Sequence, residues 1–421
     1  MSTTPRTRTR TVVSRALLVA ALGAGVTACG PDGNPLATAP YDAADQISVT
    51  GPTDAGKQAD PDKPLVVTSE GSDGRITDVT AVDTTGRHVS GELAADGTRW
   101  HSTSPLAAGA HYTVTVSTED GDGAPGRKVL TFDTSKPATL KRLNVSFGPE
   151  AGTYGVGEPI VAQLDQPVTD KAQRAIVERG LRVESTPAVQ GSWYWVDDKQ
   201  LHYRPKDYWP ANATIEVHSN LENIRISDQM WGAAAKPLTI TTGDRVIALT
   251  DAATHRLTLY RNDEKVKEIP VTTGKAGFET RNGVKVVLAK QYFVRMKSST
   301  VGIAAGSSDS YDLPVYYATR VTWSGEFVHA APWSVGSQGS ANVSHGCTGM
   351  STPNAKWFFD NIHEGDIVQV VNSGGQAMET FDNGFGDWNL SWDKWLQGSA
   401  LTGAQGSSLQ NDTTRLRPQS L

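Results

Sequence analysis

Two histidines and a cysteine crowd one Gly/Ser-rich stretch near the end of the chain: residues 327–350, FVHAAPWSVGSQGSANVSHGCTGM, hold His329, His345 and Cys347. A thiol is a nucleophile only as its thiolate. With an ordinary pKa of about 8.5 it is mostly protonated at neutral pH, so a neighbouring imidazole is the group that would activate it. The chemistry implied is nucleophilic catalysis by an imidazole-assisted thiol. The other histidines, at 88, 101, 111, 202, 218, 255 and 363, are scattered and read as surface or core residues. No Cys/His/acid group has zinc-ligand spacing and no Gly-rich nucleotide motif is convincing, so we expect no metal and no organic cofactor.

The start of the chain sharpens the cysteine count. Arg6, Arg8, Arg10 and Arg15 precede an apolar run, residues 16–26 (ALLVAALGAGV), that is too short for a stable span and has the layout of a secretory signal. Val26-Thr27-Ala28-Cys29 resembles a bacterial lipobox, which implies cleavage after residue 28 and lipid on the Cys29 thiol; the plainer alternative is an ordinary signal peptide ending in Cys. With Cys29 acylated, Cys347 is the one free thiol of an exported protein, in a compartment where structural cysteines pair. The expected place is the outer face of the cell membrane, lipid-anchored. A net charge of -6 and a pI near 5.9 give no long-range attraction for nucleic acid.

The rest of the chain must hold that stretch in place, and its pattern is mainly β. Residues 29–46, rich in Gly, Pro, Ala and Asp, read as a flexible tether. Residues 47–135 are short alternating segments between turns, such as HYTVTVS with Tyr112, Val114 and Val116 on one face, and read as an immunoglobulin-like β-sandwich. Residues 136–244 repeat the theme, with a helix expected at 170–179 and an aromatic hairpin pairing Trp193 and Trp195 with Leu201 and Tyr203. Core packing is the expected role of those aromatics, with a glycan-stacking face as the alternative.

Residues 245–372 form a third β-rich block. In it VKVVLAKQYFVRM reads as extended, residues 297–312 (KSSTVGIAAGSSDSYD) as a mobile loop that could serve as a lid or be plain surface, and Ser351-Thr352-Pro353 as the start of a short helix. Cys347 is thereby expected in the loop between a strand and that helix. Trp388, Trp392 and Trp395, at helical spacing in a C-terminal extension over 373–399, should pack on the preceding domain. Residues 400–421 are polar and expected to be disordered.

His329 followed by Ser344-His345-Gly346-Cys347 within such a domain closely resembles the L,D-transpeptidases of bacterial cell walls, with their YkuD-type catalytic fold. The likeness in layout covers the whole chain: anchor, two immunoglobulin-like domains, catalytic β-domain and Trp-rich extension. It implies acyl transfer between peptidoglycan stem peptides. Cys347 would attack the third residue of a tetrapeptide donor stem and release the terminal D-Ala. The diaminopimelate amine of an acceptor stem would then take the acyl group, giving a 3→3 cross-link. His329 matches the general base, and His345 would line the site. The amides of Gly346 and Cys347 or their neighbour are candidate oxyanion donors. Met296, Tyr311 and Trp333 fall where the family lines its donor pocket and lid, Ser344 belongs to the motif beside them, and carbapenem acylation of Cys347 is a family trait.

Two departures stand out. Ala330 follows the base where the family usually has Ser, but the backbone carbonyl does the orienting there. Gly349 replaces an Asn, and since Asn and Gly both tolerate φ > 0, we expect that position to need a left-handed backbone. An L,D-carboxypeptidase using water as acceptor, or a wall-binding lipoprotein with a decayed site, are the alternatives.

Overall fold

The computed structural model describes residues 39–50, 58–70, 74–136, 141–304 and 306–402. The expected signal segment, the lipidation site Cys29, most of the tether and the tail beyond 402 lie outside the described residues. The chain is mainly β, with three short α-helices among the described residues.

Two sheets of four strands surround the first core. Alternation decides their faces: in the His111–Asp120 strand Tyr112, Val114 and Val116 are buried, while Thr113 and His111 are exposed. A second core, with Leu143, Ile160, Leu201, Trp209 and Ile215, lies between two further four-stranded sheets. The expected helix is present as Lys171–Gly180, its first turn capped by Asp170, which accepts from the Gln173 amide at 2.9 Å. The aromatic hairpin pairs Trp193 with Tyr203 and Trp195 with Leu201, and both tryptophans are buried in this core.

The third block packs a five-stranded sheet against a four-stranded one. The five-stranded sheet runs Glu264–Pro270, Arg256–Arg261, Val246–Asp251, Ile367–Val371, Gly283–Val286, and the four-stranded one Ala289–Lys297, Asp312–Arg320, Phe327–Ala330, Thr348–Met350. Val246, Leu257, Leu259, Val328, Met350 and Phe358 fill the space around them. The segment VKVVLAKQYFVRM is two strands, because at its middle the chain changes sheets. The Val287 amide bonds Asp366 O on one side and the Leu288 amide bonds Arg320 O on the other, both at 2.9 Å. A second difference concerns Cys347. The strand Thr348–Met350 intervenes before the helix Thr352–Asn361, so the cysteine precedes a strand. Ser351 takes the N-cap position without a side-chain cap bond, and Pro353 is in the first turn.

The C-terminal tryptophans do not share one helix. Trp388 sits in the turn Asp387–Asn389 and the other two in the helix Trp392–Gln397, capped by Ser391. They converge on Arg204 of the second core instead, with its guanidinium 4.9, 5.6 and 4.5 Å from the rings of Trp388, Trp392 and Trp395. Desolvated cation–π contacts of this kind reach about 2 kcal/mol each. The extension also bonds the third block, through Asn389 to Val284 and Glu379 to Arg281. It therefore bridges two blocks, where packing on the catalytic domain alone was expected.

Candidate active site

The register of two parallel strands brings the expected base and the expected nucleophile together. Val328 pairs with Thr348 and His329 with Gly349, so Cys347 lies one strand over and two positions back from His329. Side chains alternate along a strand, which puts Phe327, His329 and Cys347 on one face. On the other, Val328, Ala330 and Met350 enter the core. Cys347 packs against a small cluster of Val315, Ala318 and Phe327, which Met296 also covers.

Both reactive groups are neutral in this environment. Burial lowers the proton affinity of the His329 imidazole, partly opposed by the Ala330 carbonyl, which lies 2.8 Å from Nδ1. Burial also pushes the Cys347 thiol up to about 12, and Glu326 beside it adds to the rise, while the Phe327 amide and the cations of Lys285 and Arg320 pull the other way. The sulfur lies 3.6 Å from the Gly325 carbonyl, which accepts the S–H. A thiol and a neutral imidazole on one face are the starting state that proton transfer from Sγ to His329 Nε2 requires.

The turn before the cysteine is pinned from inside. The Ser344 hydroxyl donates to the Cys347 carbonyl at 2.6 Å and accepts from the Gly346 amide at 3.1 Å. Ser344 is thus a brace of the turn, and its hydroxyl proton is not available to a substrate. The Gly346 amide is likewise engaged, which removes it from the expected oxyanion donors and leaves those of Cys347 and its neighbour. Gly346 itself has φ +116°, a backbone region closed to other residues.

Gly349 overturns the expectation made for it: it is a strand residue outside the positive-φ set. Space explains the glycine. A Cβ there would lie 2.9 Å from the Cβ of Ala331 and 3.2 Å from Cγ2 of Thr272, whose backbone exchanges two bonds with that of Gly349 in an isolated bridge.

Aromatic rings wall the site. Trp333 is 52 % exposed in the turn Pro332–Ser334... its ring 6.1 Å from that of His329. Tyr311 stands 5.2 Å from the ring of His345, which meets Phe278 at 4.7 Å on another side. Burial and the nearby Cys347 raise the Tyr311 phenol above its ordinary value. His345 is a packed wall residue with Nε2 3.5 Å from Asp309. Asp309 comes from the Gly/Ser loop and takes Lys275 Nζ at 2.5 Å, so that loop is tied across the site.

Sequence reasoning missed the charged layer beneath. Lys285, fully buried, reaches Glu326 Oε2 at 2.5 Å, and Arg281 reaches Oε1 at 3.1 Å and Glu379 on its other side. The one signal was a lysine at an inward position of VKVV. Among the described residues no group of three or more His, Cys, Asp or Glu side chains could hold a metal.

A family model described as "L,D-transpeptidase catalytic domain" matches residues 245–370, and one described as "Bacterial Ig domain" matches residues 56–225. L,D-transpeptidase 2 of Mycobacterium tuberculosis (strain CDC 1551) is 36% identical over 403 residues, covering 94% of this chain and 97% of that one. L,D-transpeptidase 5 of Mycobacterium tuberculosis (strain H37Rv) is 32% identical over 92% of this chain and 86% of its own. A solved structure of the L,D-transpeptidase LdtMt1 in complex with imipenem is 37% identical, covers 54% of this chain and 99% of its own, and superposes with a TM-score of 0.48. With that identity running through nearly all of two curated relatives, and the catalytic-domain match laid over the strands of His329 and Cys347, the chain belongs to the L,D-transpeptidase family.

Proposed function

We propose that this transpeptidase is a cysteine acyltransferase that forms 3→3 cross-links between peptidoglycan stems. The observation that carries the reading is the placement of His329 and Cys347 on one face of adjacent strands, both neutral. Cys347 Sγ attacks the carbonyl of the third residue of a tetrapeptide donor as its proton passes to His329. The tetrahedral intermediate collapses to a thioester, and the proton leaves with D-Ala. The diaminopimelate amine of an acceptor stem then attacks the thioester, gives its proton to His329 and frees the thiol. Met296, Tyr311 and Trp333 line the donor pocket in this reading, and a carbapenem, whose lactam opens on attack, acylates the same sulfur. Cys29 carries the lipid that holds the enzyme at the outer membrane face, with the two sandwich blocks, 47–135 and 136–244, as spacer to the catalytic block at 245–372.

Incubation with a tetrapeptide muropeptide tests this. Expected are a mass gain on Cys347, free D-Ala and a cross-linked dimer, all lost in Cys347→Ala. A shortened monomer without dimer would make water the acceptor. Sedimentation with wall sacculi but no thiol acylation would leave a wall-binding protein.

A further inference from the structure

We propose that Thr280 is a positioning residue that aims the Cys347 amide at the oxyanion; this rests on Cys347 being the acylated nucleophile. Thr280 is 2 % exposed, at the end of the loop GKAGFET. Its hydroxyl oxygen accepts the Gly274 amide at 2.9 Å and donates its single proton to the Gly346 carbonyl at 2.7 Å. That carbonyl and the Cys347 N–H belong to one planar peptide unit and point to opposite sides, so holding the oxygen sets the direction of the N–H.

The clamp answers a local weakness. Gly346, at φ +116°, has no side chain to restrict it, and the peptide that follows is free to rock unless something outside the turn restrains it. Ser344 restrains the Gly346 amide and the Cys347 carbonyl, the two groups on either side of this peptide. Among the described residues, Thr280 is the side chain that holds the peptide itself. The threonine is in turn fixed from behind. Ser373 Oγ donates to its carbonyl at 2.5 Å, and the turn it closes is so tight that a Cβ on Gly274 would lie 1.9 Å from Phe278 O.

An oxyanion donor matters only where an oxyanion forms, which separates this role from support of the fold or of the thiol. With p-nitrophenyl acetate, Sγ attacks the acetyl carbon, the thiol proton passes to His329, and p-nitrophenolate leaves after a tetrahedral oxyanion. With iodoacetamide, Sγ displaces iodide from carbon and no oxyanion forms. Both rates are read on the full chain, by p-nitrophenolate absorbance and by mass at Cys347, for wild type, Thr280→Val, Thr280→Ala and Thr280→Ser.

The expected result is acetylation slowed by about 10- to 100-fold in the Val and Ala variants, alkylation within about twofold of wild type, and acetylation recovered in Ser. Acetylation at the wild-type rate in Val or Ala overturns the proposal. An equal fall in both reactions overturns it as well, because Thr280 would then act on the sulfur. The Ala variant carries the comparison if Val does not fold. Since p-nitrophenyl acetate is not a stem peptide, an error in the proposed substrate does not disturb this outcome.

Discussion

The Ala330 carbonyl oxygen lies 2.8 Å from Nδ1 of His329, a contact made by backbone and indifferent to the side chain of residue 330. A carbonyl only accepts, so this geometry assigns the ring proton to Nδ1 and the lone pair to Nε2. Ala330→Ser should leave the initial rate of D-Ala release within about twofold, whereas His329→Gln should lower it by about 10²- to 10⁴-fold. A tenfold change in the Ser variant would show that the side chain at 330 takes part.

The neutral thiol and imidazole set a pH window for the fold. The thiol's folded pKa is raised to about 12, above an unfolded value of about 8.5, so its contribution is complete below about pH 8.5 and is lost as pH rises toward 12. The folded imidazole is lowered, so its contribution is complete above its unfolded value of about 6.5 and is lost as pH falls. Denaturant midpoints against pH should therefore lose their alkaline decline relative to wild type in Cys347→Ala and their acid decline in His329→Gln. Parallel curves for Cys347→Ala and wild type above pH 9, on the order of the unfolded thiol value, would contradict the thiol assignment.

Glu158 stands where the second sandwich meets the catalytic block, and burial, then Glu364, then Asp387 push its carboxyl up to about 8. Above an unfolded value of about 4.3 the unfolded chain sheds this proton while the folded chain keeps it, so wild-type stability falls until pH reaches about 8. Glu158→Gln, a mimic of the neutral carboxyl, should match wild type in acid and exceed it at pH 8 by on the order of 5 kcal/mol. Urea unfolding at the two extremes measures the difference.

Gly349 is confined by Ala331 and Thr272, so adding atoms there should cost stability. Gly349→Ala should lower stability by about 1–3 kcal/mol, and Gly349→Asn by more. A backbone that merely wanted a left-handed residue would accept Asn readily. Thermal midpoints of the two variants order the two explanations.

What could be read in the sequence was what is local or periodic. Tyr112, Val114 and Val116 announce a buried face by alternation, Asp170 announces a helix start, and His329 and Cys347 are recognisable by type and motif. Hidden from that view were contacts set by which distant segments meet. Thr280 looks like any loop threonine until Gly346 arrives beside it, and the inward lysine of VKVV does not name Glu326 as its partner. The Trp388, Trp392 and Trp395 spacing pointed to one helix. In the fold a turn and a separate helix satisfy it, because their shared target is Arg204. Gly349 was misjudged because crowding across strands leaves no trace in neighbouring residues.

The C-terminal extension gives the join between the second sandwich and the catalytic sheets a mechanical character. The chain passes once between them near residue 244, and a single crossing is a swivel. Coming back from the catalytic sheets, the extension docks on the second sandwich, with Trp395 Nε1 on Ser192 O at 2.9 Å and His202 Nδ1 2.7 Å from Asp387 Oδ1. Gly155 and Gly157 bond Glu364 and Gly365 backbone to backbone between these points. Attached at separated places, the two blocks lose the freedom to swivel about that crossing, and the catalytic sheets keep one bearing relative to the second sandwich.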